Sequence, residues 1–311
     1  MKQYFERFIK DFKRCWMLHL FMLAGTAFIL IFSYYPMLGI QIGFKNFDLV
    51  GGMWHSPWVG LKHFDVFVHS SDFWLVIKNT LKISLYSMAV GFPLPIIFAL
   101  QLNIMRAPKL KKTIQTITYM PHFVSVVVLV GMMNQLLSPV VGLYGSLYRI
   151  FTDGIYPPDI LGNSKAFIHM YVWSGVWQSL GWDSILYLAA LSGVSPELHE
   201  AAMLDGANRF KRIIHVDLPS IMPTIIIMLI LRSGSILGVG YEKVYLMQNS
   251  MNTLASEVIS TYVYKQGLGR GVRGFSYGSA VGTFNSVINF IMLVIVNGIS
   301  KRLSDDETSL F

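Results

Sequence analysis

The sequence predicts an all-α membrane protein, a bundle of six transmembrane helices with both termini in the cytoplasm. Three observations predict it. The chain has 311 residues and is 53% hydrophobic but only 14% charged, against about 25% charged in an ordinary soluble domain. Its apolar residues gather into six runs, at 16–40, 79–105, 114–137, 167–192, 220–240 and 276–299, each reaching or exceeding the roughly 20 residues a helix needs to cross a bilayer. Within a run such as Ile225-Ile226-Ile227-Met228-Leu229-Ile230-Leu231 there is no alternation of polarity, which excludes the strands of a closed barrel. Helices are the remaining structure that satisfies backbone polar groups inside hydrocarbon.

The elements follow in order. Residues 1–15 alternate charge with Tyr4, Phe5, Phe8, Ile9 and Phe12, the pattern of a short amphipathic helix at the inner membrane surface. The first apolar run is read as an uncleaved span, because it is too long for a secretory signal and Ser33-Tyr34-Tyr35-Pro36-Met37 offers no small-residue cleavage site. Residues 41–78 mix polarities and carry Trp54, Trp58 and Trp74, which suits the headgroup zone of the outer face. Span two holds Pro93 and Pro95, and span three holds Pro121, so both are expected to bend. The inner loop 106–112 is short and basic. Two outer segments follow, 139–166 and 241–275, the second ending in the glycine-rich stretch Gly267 to Gly274. That stretch has no preceding strand and no closing Gly-Lys-Ser/Thr, so it is expected to be a flexible loop rather than a phosphate cradle.

Charge fixes the orientation. The net charge is +8, and fourteen of the twenty-five basic residues (Lys2, Arg7, Lys10, Lys13, Arg14, Arg106, Lys109, Lys111, Lys112, Arg209, Lys211, Arg212, Lys301 and Arg302) fall on the inner side if both termini are cytoplasmic. The longer outer segments carry fewer, as the positive-inside tendency requires. Scattered in short loops, these residues form no basic surface for nucleic acid. Cys15 is the only cysteine, which excludes an internal disulfide and a thiolate metal cluster. His122 and His169 lack the neighbours a metal site needs. The domain organisation read from this is a cytoplasmic leader at 1–15, a first span with its extracellular segment at 16–78, a membrane core at 79–300 with a long inner loop at 193–219, and a cytoplasmic tail at 301–311.

That inner loop is longer and more polar than topology requires. Ser195-Pro196 is a natural helix start, with serine as cap and proline in the first turn, and Gly206 can supply the turn that ends the helix. Within it stand Glu200-Ala201-Ala202, three residues, Gly206, nine residues, the apolar Val216, one residue, and Leu218-Pro219. This spacing resembles the EAA loop of ABC importer permeases at every defining position. Asn79-Thr80-Leu81, Pro121-His122-Phe123, Thr261-Tyr262-Val263-Tyr264 and Asn297-Gly298-Ile299-Ser300-Lys301-Arg302 together resemble the carbohydrate-importer branch, its lipoprotein-associated and alginate-type oligosaccharide permeases in particular, over nearly the whole chain.

The resemblance implies a type I ABC importer permease bundle of the maltose-permease kind. It implies that Glu200, Ala201, Ala202, Asp205 and Gly206 form a coupling helix that seats in a separate ATPase, the small alanines allowing close approach. The alternative is that Glu200 and Gly206 only hold the shape of the loop. The implied partners are a homologous second permease, two ABC ATPase subunits, an extracellular solute-binding protein, an oligosaccharide and membrane lipid. No phosphate-loop motif occurs in the sequence, so ATP and its magnesium belong to a partner and this chain is not expected to be an enzyme or to hold a cofactor. The implied location is the bacterial plasma membrane, and the implied cargo an oligosaccharide, with acidic sugars and other polar solutes as alternatives.

Charges inside spans are costly and mark candidate sites. Asp183 and Arg232 lie roughly 14–18 Å from the inner surface at 1.5 Å per residue, so they are expected to meet. Either they are a static pair joining two helices, or Arg232 faces the pathway and binds a carboxylate on an acidic sugar, with Asp183 as its resting partner. Aromatic faces with neighbouring amides suit pyranose rings, and Trp173, Trp177, Gln178, Tyr187, Asn134, Gln135, Asn285 and Asn289 offer that chemistry; helix packing is the competing use of each. Two rival functions are weighed. A secondary transporter would use Asp183 as a relay, but no inverted repeat and no chain of intramembrane acids is visible. A membrane-embedded sugar sensor would not need a force-transmitting loop.

Overall fold

A computed structural model describes residues 14–269 and 274–303. The leader up to residue 13, Arg270 to Arg273 of the glycine-rich stretch, and the tail from 304 lie outside the described residues. The described chain is helical almost throughout, its one β element being an isolated bridge between Lys45 and Trp58. Three helices are long and apolar enough to cross a membrane: α1 (Trp16–Phe44), α2 (Phe73–Asn103) and the last helix over Gly274–Ile299, each with a mean hydropathy of 1.9. Two bent pairs bring the total to as many as five. These are α3 (Pro108–Phe123) with α4 (Val126–Leu136), turned by 98°, and α7 (Arg209–Ser220) with α8 (Met222–Ser233), turned by 61°. Between the pairs run α5 (Ser164–Ser192) and the short α6 (Pro196–Leu204). α5 covers 29 residues, about 43 Å at the helical rise, but its polar positions keep it below the hydropathy of the others. After α8 come α9 (Tyr241–Met247) and α10 (Ile259–Val263), and α11 (Gly274–Leu303) closes the chain.

The breaks have local causes. Pro121 cannot donate to the ladder, so the chain tightens over Met120–Phe123 before Ser125 caps α4 by accepting from Val128 N, as serine does at a helix start. Pro93 interrupts α2 after Gly91, yet the helix resumes at once over Pro93–Asn103, proline being tolerated in a first turn. The fifth apolar run ends as a helix at Ser233, short of the predicted 240, because two serines and three glycines follow in Ser233-Gly234-Ser235 and Gly238 to Gly240.

The segment after α8 departs further from expectation. Residues 241–268 are a packed insertion of short helices, with Val244, Val258, Ile259, Thr261 and Tyr262 all buried. Asn79 of α2 donates to the carbonyls of Leu254 (2.9 Å) and Glu257 (3.0 Å), and Thr80 Oγ1 accepts from Ile259 N at 3.0 Å. Tyr262 and Tyr277 share a hydroxyl hydrogen bond of 2.9 Å, and Lys265 pairs with Glu257. The Asn79-Thr80 motif thus forms one joint with residues 254–259, just ahead of Thr261-Tyr262, and Thr261 Oγ1 ties back to that segment by donating to Glu257 Oε1 at 3.2 Å. The joint seals two apolar clusters, one around Phe67, Val76, Ile236, Tyr262 and Tyr277, the other around Ile83, Val130, Phe167, Val244 and Val258. A third, around Ile96, Leu100, Tyr187, Leu191 and Ile221, lies nearer the inner loop.

α1 stands apart from this core. Its apolar side chains are exposed, Phe21 at 81% and Leu23 at 66%, as befits a helix whose solvent is lipid. It touches the bundle through its tightened end, where Gly43 lies against α11. A Cβ there would come within 2.9 Å of Ala280 N, so the crossing needs glycine.

Candidate functional site

The inner loop folds as its motif suggests. Ser195 caps α6 by accepting from Glu197 N at 3.3 Å, and Pro196 occupies the first turn. At the other end Gly206 takes a φ of +76°, a left-handed geometry that costs glycine nothing, and Ala207 N returns to Ala202 O at 2.9 Å. Glu200, Ala201, Asp205 and Gly206 are exposed and Ala202 half-buried. Alongside them Leu198, Met203, Leu204 and Phe210 are exposed at 52%, 50%, 89% and 68%. Four large apolar side chains around one short polar helix form a surface suited to covering by another protein.

α6 is held from beneath. His199 Nε2 lies 3.4 Å from Asp217 Oδ1, and the same oxygen accepts from Asn103 Nδ2 at 3.1 Å. Asp217 is fully buried, so this carboxylate joins α6, α7 and the inner end of α2. Neither His199 nor Asp217 was singled out from the sequence. The signal was a carboxylate one residue before Leu218-Pro219, in a helix about to enter the membrane.

Deeper in the bundle Arg232 Nη1 lies 3.9 Å from Asp183 Oδ2 and donates to Gly91 O at 3.1 Å. The two residues line a cavity of about 250 Å³ together with Gly91, Tyr171, Gln178 and Lys243. A second cavity, of about 630 Å³, lies on their other side against Trp182, Tyr187 and Met228. Gln178 donates to Val124 O at 2.7 Å, which fastens the bend between α3 and α4 to α5. His122 stacks flat on Trp182 with ring centroids 4.3 Å apart.

Among the residues proposed for the pathway, the structure therefore brings together Asp183, Arg232, Gln178 and Tyr187. Trp173 and Trp177 are half-exposed on α5, Trp173 donating to Tyr86 at 3.0 Å. Asn134 and Gln135 are exposed on α4, and Asn289 Oδ1 accepts from Leu237 N at 2.9 Å in helix packing. Asn285 Oδ1 is buried without a hydrogen-bond partner. None of these six lines either cavity.

Lys243 was missed, because residues 241–275 read as a loop. It is 8% exposed, its Nζ donates to Tyr171 O at 2.9 Å, and it stands 4.8 Å over the Tyr171 ring. Loss of hydration on this insertion, outside the spans, pushes its ammonium down to about 8. Among the described residues no group of three or more metal-ligating side chains assembles.

Residues 91–305 match the family of binding-protein-dependent transport system inner membrane components. Protein LplB of Bacillus subtilis (strain 168) is 40% identical over 96% of this chain and 92% of its own length. The polygalacturonan/rhamnogalacturonan transport system permease protein YteP of the same organism is 39% identical over 93% and 89%. A crystal structure of a bacterial ABC transporter involved in the import of the acidic polysaccharide alginate holds a chain that superposes with a TM-score of 0.85 at 37% identity, covering 96% of this chain and 100% of that one. The bacterial alginate ABC transporter in complex with an alginate pentasaccharide-bound periplasmic protein gives 0.85 at 36%, over 97% and 99%.

Proposed function

Because the chain belongs to the binding-protein-dependent transport system inner membrane components, we propose that it is the permease subunit of an ATP-driven importer of oligosaccharides, acidic ones among them. It is an integral, multi-pass protein of the cell membrane. The observation that carries the reading is the inner loop: a capped α6 bearing the Glu200-Ala201-Ala202 motif, ringed by exposed apolar side chains and tied through Asp217 to the core. Such a helix can receive a displacement from a partner and deliver it to α2 and α7 without local melting.

The bundle crosses the membrane six times, α5 and the two bent pairs each counting once, with both termini on the cytoplasmic side. A homologous permease completes the pathway, and two ATPase subunits bind ATP and magnesium and seat α6 of each permease. An extracellular binding protein delivers the sugar, as the alginate-bound periplasmic protein suggests for that relative. ATP-driven approach of the ATPases moves α6, and the cavities around Arg232 and Asp183 change their access from one face to the other.

Affinity purification of the tagged chain from its own membranes tests this. A second permease, an ATPase and a bound glycan are expected in the eluate, and deletion of residues 198–208 is expected to remove the ATPase while keeping the second permease. Uptake that persists in the deletion variant and follows an ion gradient would overturn the reading.

A further inference from the structure

Two cations and one carboxylate face the cavity of about 250 Å³ between α2, α5, α8 and α9. Its size is near the lower end of ligand pockets, which run from roughly 300 Å³ upward, and matches one ring rather than a chain. The ion pair at its wall is slack: at 3.9 Å, Arg232 and Asp183 attract without a direct hydrogen bond. Of the five N–H donors of the guanidinium, one is committed to Gly91 O.

Lys243 is the unexplained member. Among the described residues no carboxylate stands within 4 Å of its ammonium, although the side chain is almost fully buried. Among the described residues a carbonyl and a tyrosine ring are its only partners. Burial of an ammonium without a counter-charge is costly, and an anchor needing one hydrogen bond to Tyr171 O could be neutral.

Space has been left beside both cations. A Cβ added to Gly175 would meet a single neighbour, Lys243 Nζ, at 3.3 Å, and a Cβ added to Gly91 would meet Arg232 Nη2 at 3.0 Å. Glycine inside a helix is less favourable than alanine, and at both positions its smallness keeps a charged donor unobstructed.

We propose that Lys243 and Arg232 form a two-cation subsite that holds the ring carboxylate of one uronic acid unit of the oligosaccharide, with Asp183 balancing Arg232 when the subsite is empty. The inference rests on the oligosaccharide-importer reading and adds to it the residue that distinguishes acidic from neutral cargo. An arriving carboxylate meets the fork of Arg232 and the ammonium of Lys243 as two linings of one cavity, and charge-assisted hydrogen bonds from them would replace the long contact to Asp183. A neutral ring leaves Lys243 without a counter-charge and gains nothing from it.

The test uses the complete importer purified from its host membranes in lipid nanodiscs, with trigalacturonate and its full methyl ester as probes. The pair differs in charge and not in ring shape. Lys243→Gln keeps a donor for Tyr171 O and removes the charge. It is expected to raise the half-saturating concentration of trigalacturonate at least tenfold, to leave that of the ester within twofold, and to be rescued to within threefold of wild type by Lys243→Arg. Gly175→Ala, a change a helix accepts readily, crowds the ammonium and is expected to shift the acid about threefold and the ester not at all.

Equal shifts for acid and ester, or no shift in either variant, would overturn the subsite and leave Lys243 an anchor. A wild-type importer that carries the ester and refuses the acid would overturn it too, while the importer reading stands. A wild-type complex that carries no oligosaccharide of either kind would overturn both.

Discussion

At the scale of single residues, charge and backbone geometry decide what each position tolerates. Lys243 has its ammonium lowered to about 8 by burial, with Tyr171 and Asp183 of α5 and Arg232 of α8 around the same cavity and Tyr241 and Glu242 beside it in α9. Two pH dependences of opposite sign follow. Binding of a uronate needs the charged form, so the half-saturating concentration for trigalacturonate should climb as pH rises through about 8, while that of the methyl ester stays level. Stability should move the other way, because between about 8 and the ordinary lysine value the unfolded chain binds the extra proton and rising pH favours the fold. Transport assays and thermal melts across pH 7–10, each compared with Lys243→Gln, separate the two. Gly206 gives a second prediction. At a φ of +76° a Cβ costs about 1–2 kcal/mol, so Gly206→Ala should lower hydrogen-exchange protection over residues 196–207 and slow uptake several-fold, whereas Gly206→Asn, which visits this geometry more readily, should lose less.

At the scale of elements, α6 matters because of what holds it. Asp217 is fully buried and His199 is about one-quarter exposed at its side chain, so the pair is asymmetric. Removal of His199 leaves a buried carboxylate with Asn103 as its remaining hydrogen-bond partner, while removal of Asp217 leaves a histidine whose ring is partly open to solvent. His199→Ala should therefore destabilise the loop by about 1–3 kcal/mol, the cost of an undercompensated buried polar group, and Asp217→Asn by less. In the purified complex both should retain ATP hydrolysis and lose transport, and a parallel fall of the two rates would refute a connecting role for this contact. The loop is also where the sequence was most legible, because a serine-proline start, a glycine stop and a fixed motif spacing are all local signals. The insertion at 241–268 was illegible for the converse reason. Its burial is decided by partners 170 to 180 residues away, Asn79 bonding Leu254 and Glu257, and Thr80 bonding Ile259, and no periodicity in the insertion announces them. Lys243 was lost with it. Arg232 and Asp183 were found because a charge in an apolar run is visible without knowing what it faces; Trp177, Asn134 and Asn285 share that visibility but not the cavities, since residue type alone does not say which side of a helix is inward.

At the scale of the molecule, the decisive quantity is the number of crossings, because it fixes which face carries α6. Three helices qualify outright and two bent pairs bring the total to as many as five. In the six-crossing proposal α5, 29 residues long but more polar, is the sixth, its polarity matching a helix that lines cavities on one side rather than facing lipid all round. On that proposal an even count puts Cys15 and the end of α11 on the same side, and the basic residues of loops 106–112 and 209–212 make the cytoplasm the side expected from the positive-inside tendency. The single cysteine makes the count measurable. Cys15 is exposed and can be labelled as it stands; in a Cys15→Ser background, Val50→Cys (95% exposed) and Leu204→Cys (89% exposed) place one thiol between the first two spans and one on α6, and Lys301→Cys places one at the end of α11. With a membrane-impermeant maleimide added to intact cells, Val50→Cys should react and the other three should stay unlabelled until the membrane is opened. Five crossings would bring Lys301→Cys out while Cys15 remains inside. Labelling of Leu204→Cys from outside would put α6 on the wrong face for any ATPase, and with it the force-transmitting role of the Glu200-Ala201-Ala202 helix would fall.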